Sequence, residues 1–139
     1  MISVHKAVAH PWQCDVLGHM TTRFYTAMFD DASYHFIYHV FGWVGNKDAE
    51  GKRSWTDVKH ETSFQAEVVA GDLLEIRASL LKIGNKSITA CYVMQNLKTG
   101  EVAATLEVVY VLFDTETRSG VPIGDDLRAA AAGYLEDEK

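Results

Sequence analysis

The sequence predicts an α+β domain in which one long helix is wrapped by a curved antiparallel sheet. Three observations predict it. From Thr22 to Val40 the apolar residues recur at the helical period: Tyr25, Phe29, Ala32, Phe36 and Val40 form one stripe, widened by Phe24, Met28 and Ile37. From Ser54 onward the pattern changes to long runs of β-branched, aromatic and aliphatic residues, broken at Gly71-Asp72, Gly84-Asn85-Lys86 and Thr99-Gly100. Only one helical stripe of that length is present, so one curved sheet must bury it.

Each element follows in order. Ile2 to Ala9 alternates well enough for an opening strand, and Pro11 ends it because proline cannot donate to a ladder. A turn carrying Asp15 and Gly18 comes next. The helix then starts at Thr21 or Thr22, with Thr22 expected to cap it. Its polar side holds Arg23, Asp30, Asp31, Ser33 and His35. Gly42 and Gly45 stop it, and a charged surface loop runs from Asn46 to Arg53. Four strands are expected: Trp55 to Val69, Leu73 to Ile83, Ser87 to Leu97 and Glu101 to Phe113. Gly124 to Leu135 reads as a short closing helix with Asp125 and Asp126 in its first turn. Both faces of the later strands are apolar: Val102, Ala104, Leu106, Val108 and Tyr110 oppose Ala103, Val109, Val111 and Phe113. A sheet covered on one face alternates more cleanly, so part of the second face is expected to meet a partner.

Length and composition bound the rest. The 139 residues, 47% of them hydrophobic and only two of them proline, suit one packed domain spanning 1–139, its core about 2–118 and its closing helix about 124–135. A net charge of −6 argues against nucleic acid or an acidic membrane as partner. Cys14 and Cys91 have neither metal-like nor disulfide-framework spacing. Cys14 sits beside Asp15, and a carboxylate disfavours the thiolate that attack requires, so a packed thiol is expected. The first ten residues lack a signal-peptide pattern, and no apolar run is long enough to span a membrane, so a cytoplasmic location is expected. The tail Leu135 to Lys139 is expected to be solvated and frayed.

One segment carries chemistry. Asp15 places a carboxylate a few residues before a helix start, where backbone N–H groups and the positive end of the helix dipole lie. A carboxylate beside N–H donors supplies a base or nucleophile together with a place for an oxyanion. His19 can donate to a substrate oxygen, take a proton, or hold the turn. Asp31, His35 and His39 share one helical face at metal-like spacing. Without a second pair of ligands they are expected to be surface groups, and no metal is expected.

The segments Asp15-Val16-Leu17-Gly18-His19-Met20, Phe24-Tyr25 with Phe29, Ser63-Phe64, Gly71-Asp72-Leu73-Leu74-Glu75-Ile76 and Gly84-Asn85-Lys86-Ser87 resemble those of hotdog-fold acyl-CoA thioesterases of the 4-hydroxybenzoyl-CoA thioesterase type. Asn96, Thr99-Gly100-Glu101, Ala103-Ala104-Thr105 and Phe113-Asp114 extend the resemblance, which covers about residues 3 to 118. The turn departs from the commoner pattern, with Val-Leu-Gly-His-Met after the aspartate and Thr21 where a related branch carries asparagine.

The resemblance implies a hotdog fold, and acyl-CoA hydrolysis with Asp15 as base or nucleophile. Gly18, His19 and Thr22 would stand beside it as catalytic groups. It also implies a homodimer or homotetramer with the site at a subunit interface, and no cofactor beyond the coenzyme A of the substrate. Trp12, Met20, Tyr25, Phe29 and Glu61 are then candidates for the acyl pocket, and Lys82, Lys86 and Ser87, with Arg118, for the coenzyme A phosphates. Trp43 and Trp55 are expected in the core or an interface. A hotdog hydratase or dehydratase, or a non-catalytic acyl-CoA binder, stands as the alternative.

Overall fold

The computed structural model describes residues 1–136. Its elements are β1 (Ile2–Val8), α1 (Thr22–Phe41), β2 (Arg53–Phe64), β3 (Leu73–Ile83), β4 (Ser87–Asn96), β5 (Val102–Asp114), β6 (Ser119–Gly120) and α2 (Asp125–Ala132). The strands form one antiparallel sheet in the order β1-β3-β4-β5-β2, with the two-residue β6 paired to β5.

The stripe read from the sequence is the one buried. Phe29, Ala32, Phe36 and Ile37 are 0–1% exposed and lie in one core with Leu74, Ile76, Ala78 and Leu80 of β3. Leu73 and Leu81, on the other side of β3, stay exposed. The helix stops at Gly42, whose left-handed φ of 73° lets its N–H turn back to the Tyr38 carbonyl at 2.7 Å. α2 adds Leu127 and Ala131 to the core.

Ser33 departs from its expected place on the polar side. It is buried, and its Oγ lies 2.6 Å from Tyr110 Oη, which lies 2.6 Å from Tyr92 Oη. Burial pushes both phenols up, so this chain of hydroxyls stays neutral. Shared hydrogen bonds allow the three groups to sit in an apolar core and pin α1 to β4 and β5.

Other features also differ from expectation. The strand expected over Trp55 to Val69 begins at Arg53 and ends at Phe64. There the N–H groups of Gln65 and Ala66 both donate to the Ala103 carbonyl, at 2.8 and 3.1 Å, and the chain leaves the ladder. The cap of α1 is Thr21 rather than Thr22, and its side chain makes no capping bond. β6 follows a tight turn in which the Asp114 carboxylate accepts the N–H groups of Glu116 and Thr117, both at 2.9 Å. The tail is not frayed over its first residues. Leu80 donates its N–H to the Tyr134 carbonyl and accepts that of Glu136, at 2.8 and 2.9 Å, and Ser79 Oγ donates to Glu136 Oε1 at 2.6 Å. The rest of the tail lies outside the described residues.

Two features bear on assembly and location. The outer edge of β2 has no strand beside it among the described residues, and Val58 and Phe64 on that strand are exposed. A long open edge of this kind invites another strand. Among the described residues no helix is long and apolar enough to cross a membrane.

Candidate active site

Asp15 begins a tight hairpin loop. Its N–H donates to the His19 carbonyl at 2.9 Å, and the Gly18 N–H donates to the Asp15 carbonyl at 3.0 Å. Gly18 holds φ at +82°, which the loop requires and which side chains rarely adopt. The carboxylate braces the same loop: Asp15 Oδ1 accepts the N–H groups of Leu17 and His19 at 2.9 and 3.2 Å. Oδ2 accepts no hydrogen bond from the described residues. The Gly18 N–H is already donated, so Gly18 serves the turn and offers no oxyanion donor in this conformation.

The returning limb of the hairpin is tied to the segment after β2. Met20 donates its N–H to the Val68 carbonyl at 2.7 Å, and His19 pairs with Val69. That segment is held from behind by Asp72, whose Oδ2 accepts the Val69 N–H at 2.9 Å and the Asn96 side-chain amide at 3.1 Å. The Gly71-Asp72 turn therefore anchors the floor beneath the Asp15 loop. Its backbone exchanges two bonds with Ala9 at 2.7 and 3.0 Å.

Between the hairpin, the first turn of α1 and the end of β2 lies a cleft of about 330 Å³. Met20, Tyr25, Phe64 and Ala66 give it apolar walls, and His19, Thr22, Gln65 and Glu67 give it a polar rim. Tyr25 is buried and meets Phe64 edge-on at 5.1 Å, and burial pushes its phenol up. His19 Nε2 lies 3.1 Å from Glu67 Oε2. The helix start leaves its first N–H groups without partners inside the helix, with the positive dipole end beside Thr22.

The structure thus brings His19, Met20, Thr22 and Tyr25 together around the cleft, while Asp15 and Gly18 lie in the adjoining hairpin and are not part of its lining. Trp12 stands nearby as an exposed side chain, stacked on His10 at 5.6 Å and edge-on to Phe24 at 5.6 Å. It is not part of the cleft lining. Phe29, expected in the acyl pocket, is 1% exposed and belongs to the core, because its position on α1 faces the sheet. Glu61 projects away from the cleft, opposite Glu107 on the exposed face of the sheet, since its neighbours in register alternate with the core residues Leu106 and Val108. Lys82, Lys86 and Ser87 sit at the far end of the sheet, where Ser87 pairs with Val111, whereas the Asp15 loop sits by the Leu73 end. At about 3.3 Å per residue the eleven-residue β3 separates the two ends by roughly 30 Å or more. Arg118 is at that far end too, over the Phe113 ring at 5.4 Å. Trp43 and Trp55 pack with Phe41 in a buried aromatic cluster.

The remaining candidates sit apart. Among the described residues no three metal-binding side chains converge. His35 stacks on His5 at 5.9 Å and His39 meets Tyr134 edge-on at 5.6 Å. Burial and the nearby Glu136 and Glu107 carboxylates push the Cys91 thiol up, which suits an inert group. Sequence reasoning missed Phe64, Gln65 and Glu67 as parts of the cleft. A signal was present: a strand from residue 55 to 69 far exceeds the usual five or six residues, which marks an interruption.

Comparison with known proteins agrees with this architecture. The family model of the Thioesterase-like superfamily matches residues 9–131. No curated protein matches the chain. Among solved structures, the chain is similar to a predicted thioesterase from Bacillus stearothermophilus, with 17% identity, 99% of this chain and 98% of that one covered, and a TM-score of 0.83. A protein from Staphylococcus aureus in complex with CoA gives 19% identity, coverage of 100% and 90%, and a TM-score of 0.84. A 1,4-dihydroxy-2-naphthoyl-CoA thioesterase from Synechocystis gives 14% identity, coverage of 92% and 93%, and a TM-score of 0.78. At these identities the likeness is one of fold, and it bears out the expected hotdog architecture.

Proposed function

This chain belongs to the Thioesterase-like superfamily and is a thioester hydrolase, and from that premise we propose that it hydrolyses a short, branched or aromatic acyl-CoA, with Asp15 acting through Oδ2. The observation that carries this reading is the division of labour within one carboxylate. Oδ1 is committed to the Leu17 and His19 N–H groups, which fixes the group in space, and Oδ2 is left open. A fixed carboxylate with one free oxygen, in the hairpin that leads into the start of α1, suits attack at a carbonyl.

Two routes use that oxygen. In one, Oδ2 takes a proton from water as the water oxygen bonds to the thioester carbon. The C–S bond then breaks, and the departing thiolate receives the proton, giving free acid and coenzyme A thiol. In the other, Oδ2 itself bonds to the carbonyl carbon and expels the thiolate, which takes its proton from water. Hydroxide then cleaves the mixed anhydride and restores the carboxylate. Single turnover in ¹⁸O-water separates them, because only the second route can leave label in Asp15.

Assay against a panel of short, branched, aromatic and long acyl-CoAs tests the activity. The expected result is release of coenzyme A thiol matched by free acid for at least one of the first three classes. Absence of hydrolysis across the panel overturns the reading. Hydration of an enoyl-CoA without thiol release would replace it with the hydratase alternative, and tight binding without turnover with the acyl-CoA binder.

The same reading takes the active unit to be a homodimer or a pair of dimers. Its support is the open edge of β2 and the separation of the basic groups from Asp15. Antiparallel pairing of two β2 edges would set the Arg53 end of one strand beside the Phe64 end of its partner. That brings the end of the sheet with Lys86 and Ser87 of one copy toward the Asp15 loop of the other. Sedimentation at micromolar concentration is expected to show a dimer or tetramer. A monomer that retains full activity removes the shared site.

A further inference from the structure

We infer that Glu67 is a positioning residue that fixes which imidazole nitrogen of His19 faces the cleft. The inference rests on the proposed hydrolysis and assigns a role to a residue outside the Asp15 turn. Glu67 exists at this place because the chain leaves the sheet at Phe64. Had β2 continued, its side chain would have stood on the sheet and not across from His19. Instead, Glu67 Oε2 lies 3.1 Å from His19 Nε2, on the rim of the cleft.

The contact has the distance of an ion pair and is not among the hydrogen bonds of the structure, so its pull is electrostatic: a carboxylate 3.1 Å from Nε2 favours the proton on that nitrogen over Nδ1. In the neutral ring Nδ1 is then the unprotonated nitrogen, and it has no partner among the described residues. The same histidine grips Asp15 through its main chain, since its carbonyl accepts the Asp15 N–H and its N–H donates to Asp15 Oδ1. The Glu67 carboxylate beside the ring and the backbone bonds to Asp15 link the imidazole to the catalytic turn.

Stability does not explain the pair. With side chains 34% and 74% exposed, a His–Glu contact of this kind contributes little to folding. Its loss should leave the fold intact and appear in the chemistry.

The test uses Glu67→Ala, Glu67→Gln, His19→Ala and the double variant Glu67→Ala/His19→Ala on the best acyl-CoA of the panel. Glu67→Ala is expected to lower kcat about tenfold with KM within about twofold. Glu67→Gln, which keeps a partly negative oxygen beside Nε2, should recover part of the rate. The double variant should be no slower than His19→Ala alone. Full rate in Glu67→Ala, or losses that multiply in the double variant, overturns the inference.

A second measurement does not need turnover. Two-bond ¹⁵N–¹H spectra at mildly alkaline pH should show His19 as the Nε2–H tautomer, shifting to a mixture in Glu67→Ala. The same tautomer ratio in both proteins overturns the inference even if no acyl-CoA is cleaved. Conversely, a positioned tautomer with no hydrolysis across the panel rejects the proposed activity and leaves the positioning in place.

Discussion

Replacing Asp15 by asparagine should lower kcat by about a hundredfold or more, the scale of a lost general base, and should leave thermal stability unchanged. The substitution separates the two jobs of this side chain. The new carboxamide would keep an oxygen at the Oδ1 position, able to accept from the Leu17 and His19 N–H groups, so the loop keeps its brace. What disappears is the negative charge and the basic Oδ2. Asp15→Ala removes the brace as well and is expected to cost roughly 1 kcal/mol of stability in addition. Steady-state thioester hydrolysis and a melting curve, measured on the same preparations, read both effects. Full rate in Asp15→Asn would return the residue to a purely structural role in the turn.

The largest stability effect should come from Phe29→Ala. This ring is 1% exposed in the core between α1 and the sheet, and its removal leaves a cavity that the surrounding side chains only partly fill. Large-to-small changes of this type cost about 3–5 kcal/mol, against a total stability of roughly 5–15 kcal/mol for an ordinary domain. The melting temperature should fall by about 10 °C or more. Phe29→Leu, which keeps most of the volume, should lose much less. If Phe29→Ala melts normally and instead raises KM, the residue lines the acyl site after all.

These two residues also show how far sequence reasoning reaches. The apolar period of α1 told which residues are buried, because a helix repeats every 3.6 residues and its stripe is a local property. It did not tell what they are buried against. Phe29 and Tyr25 share the stripe, yet Phe29 lies wholly in the core while Tyr25, one turn nearer the helix start, also borders the cleft. Ser33 likewise looked like a surface group and is buried, because its hydroxyl meets Tyr110 of β5, which is itself bonded to Tyr92 of β4. No local pattern announces a partner 77 residues away.

The turn around Asp15 was legible for the opposite reason. A glycine at a left-handed position, an aspartate whose side chain reaches N–H groups two and four residues on, and a helix start shortly after are all encoded within a few residues. Gly71-Asp72 was legible as a turn in the same way. That Asp72 supports the segment beneath His19 was not, since it acts through Val69 and Asn96.

By itself, then, the sequence determined the long helix, the run of antiparallel strands and the carboxylate-bearing turn, because each is written in short-range periodicity and turn chemistry. Tertiary structure decided what surrounds that carboxylate. It ended β2 at Phe64 where the sequence suggested a strand to Val69, turned Glu67 toward His19, sent Glu61 to the opposite face, and put Lys82, Lys86 and Ser87 at the far end of the sheet. The physical reason is that these placements depend on which acceptor two neighbouring N–H groups share and on which end of a long strand a residue occupies. Both are set only when distant segments pair.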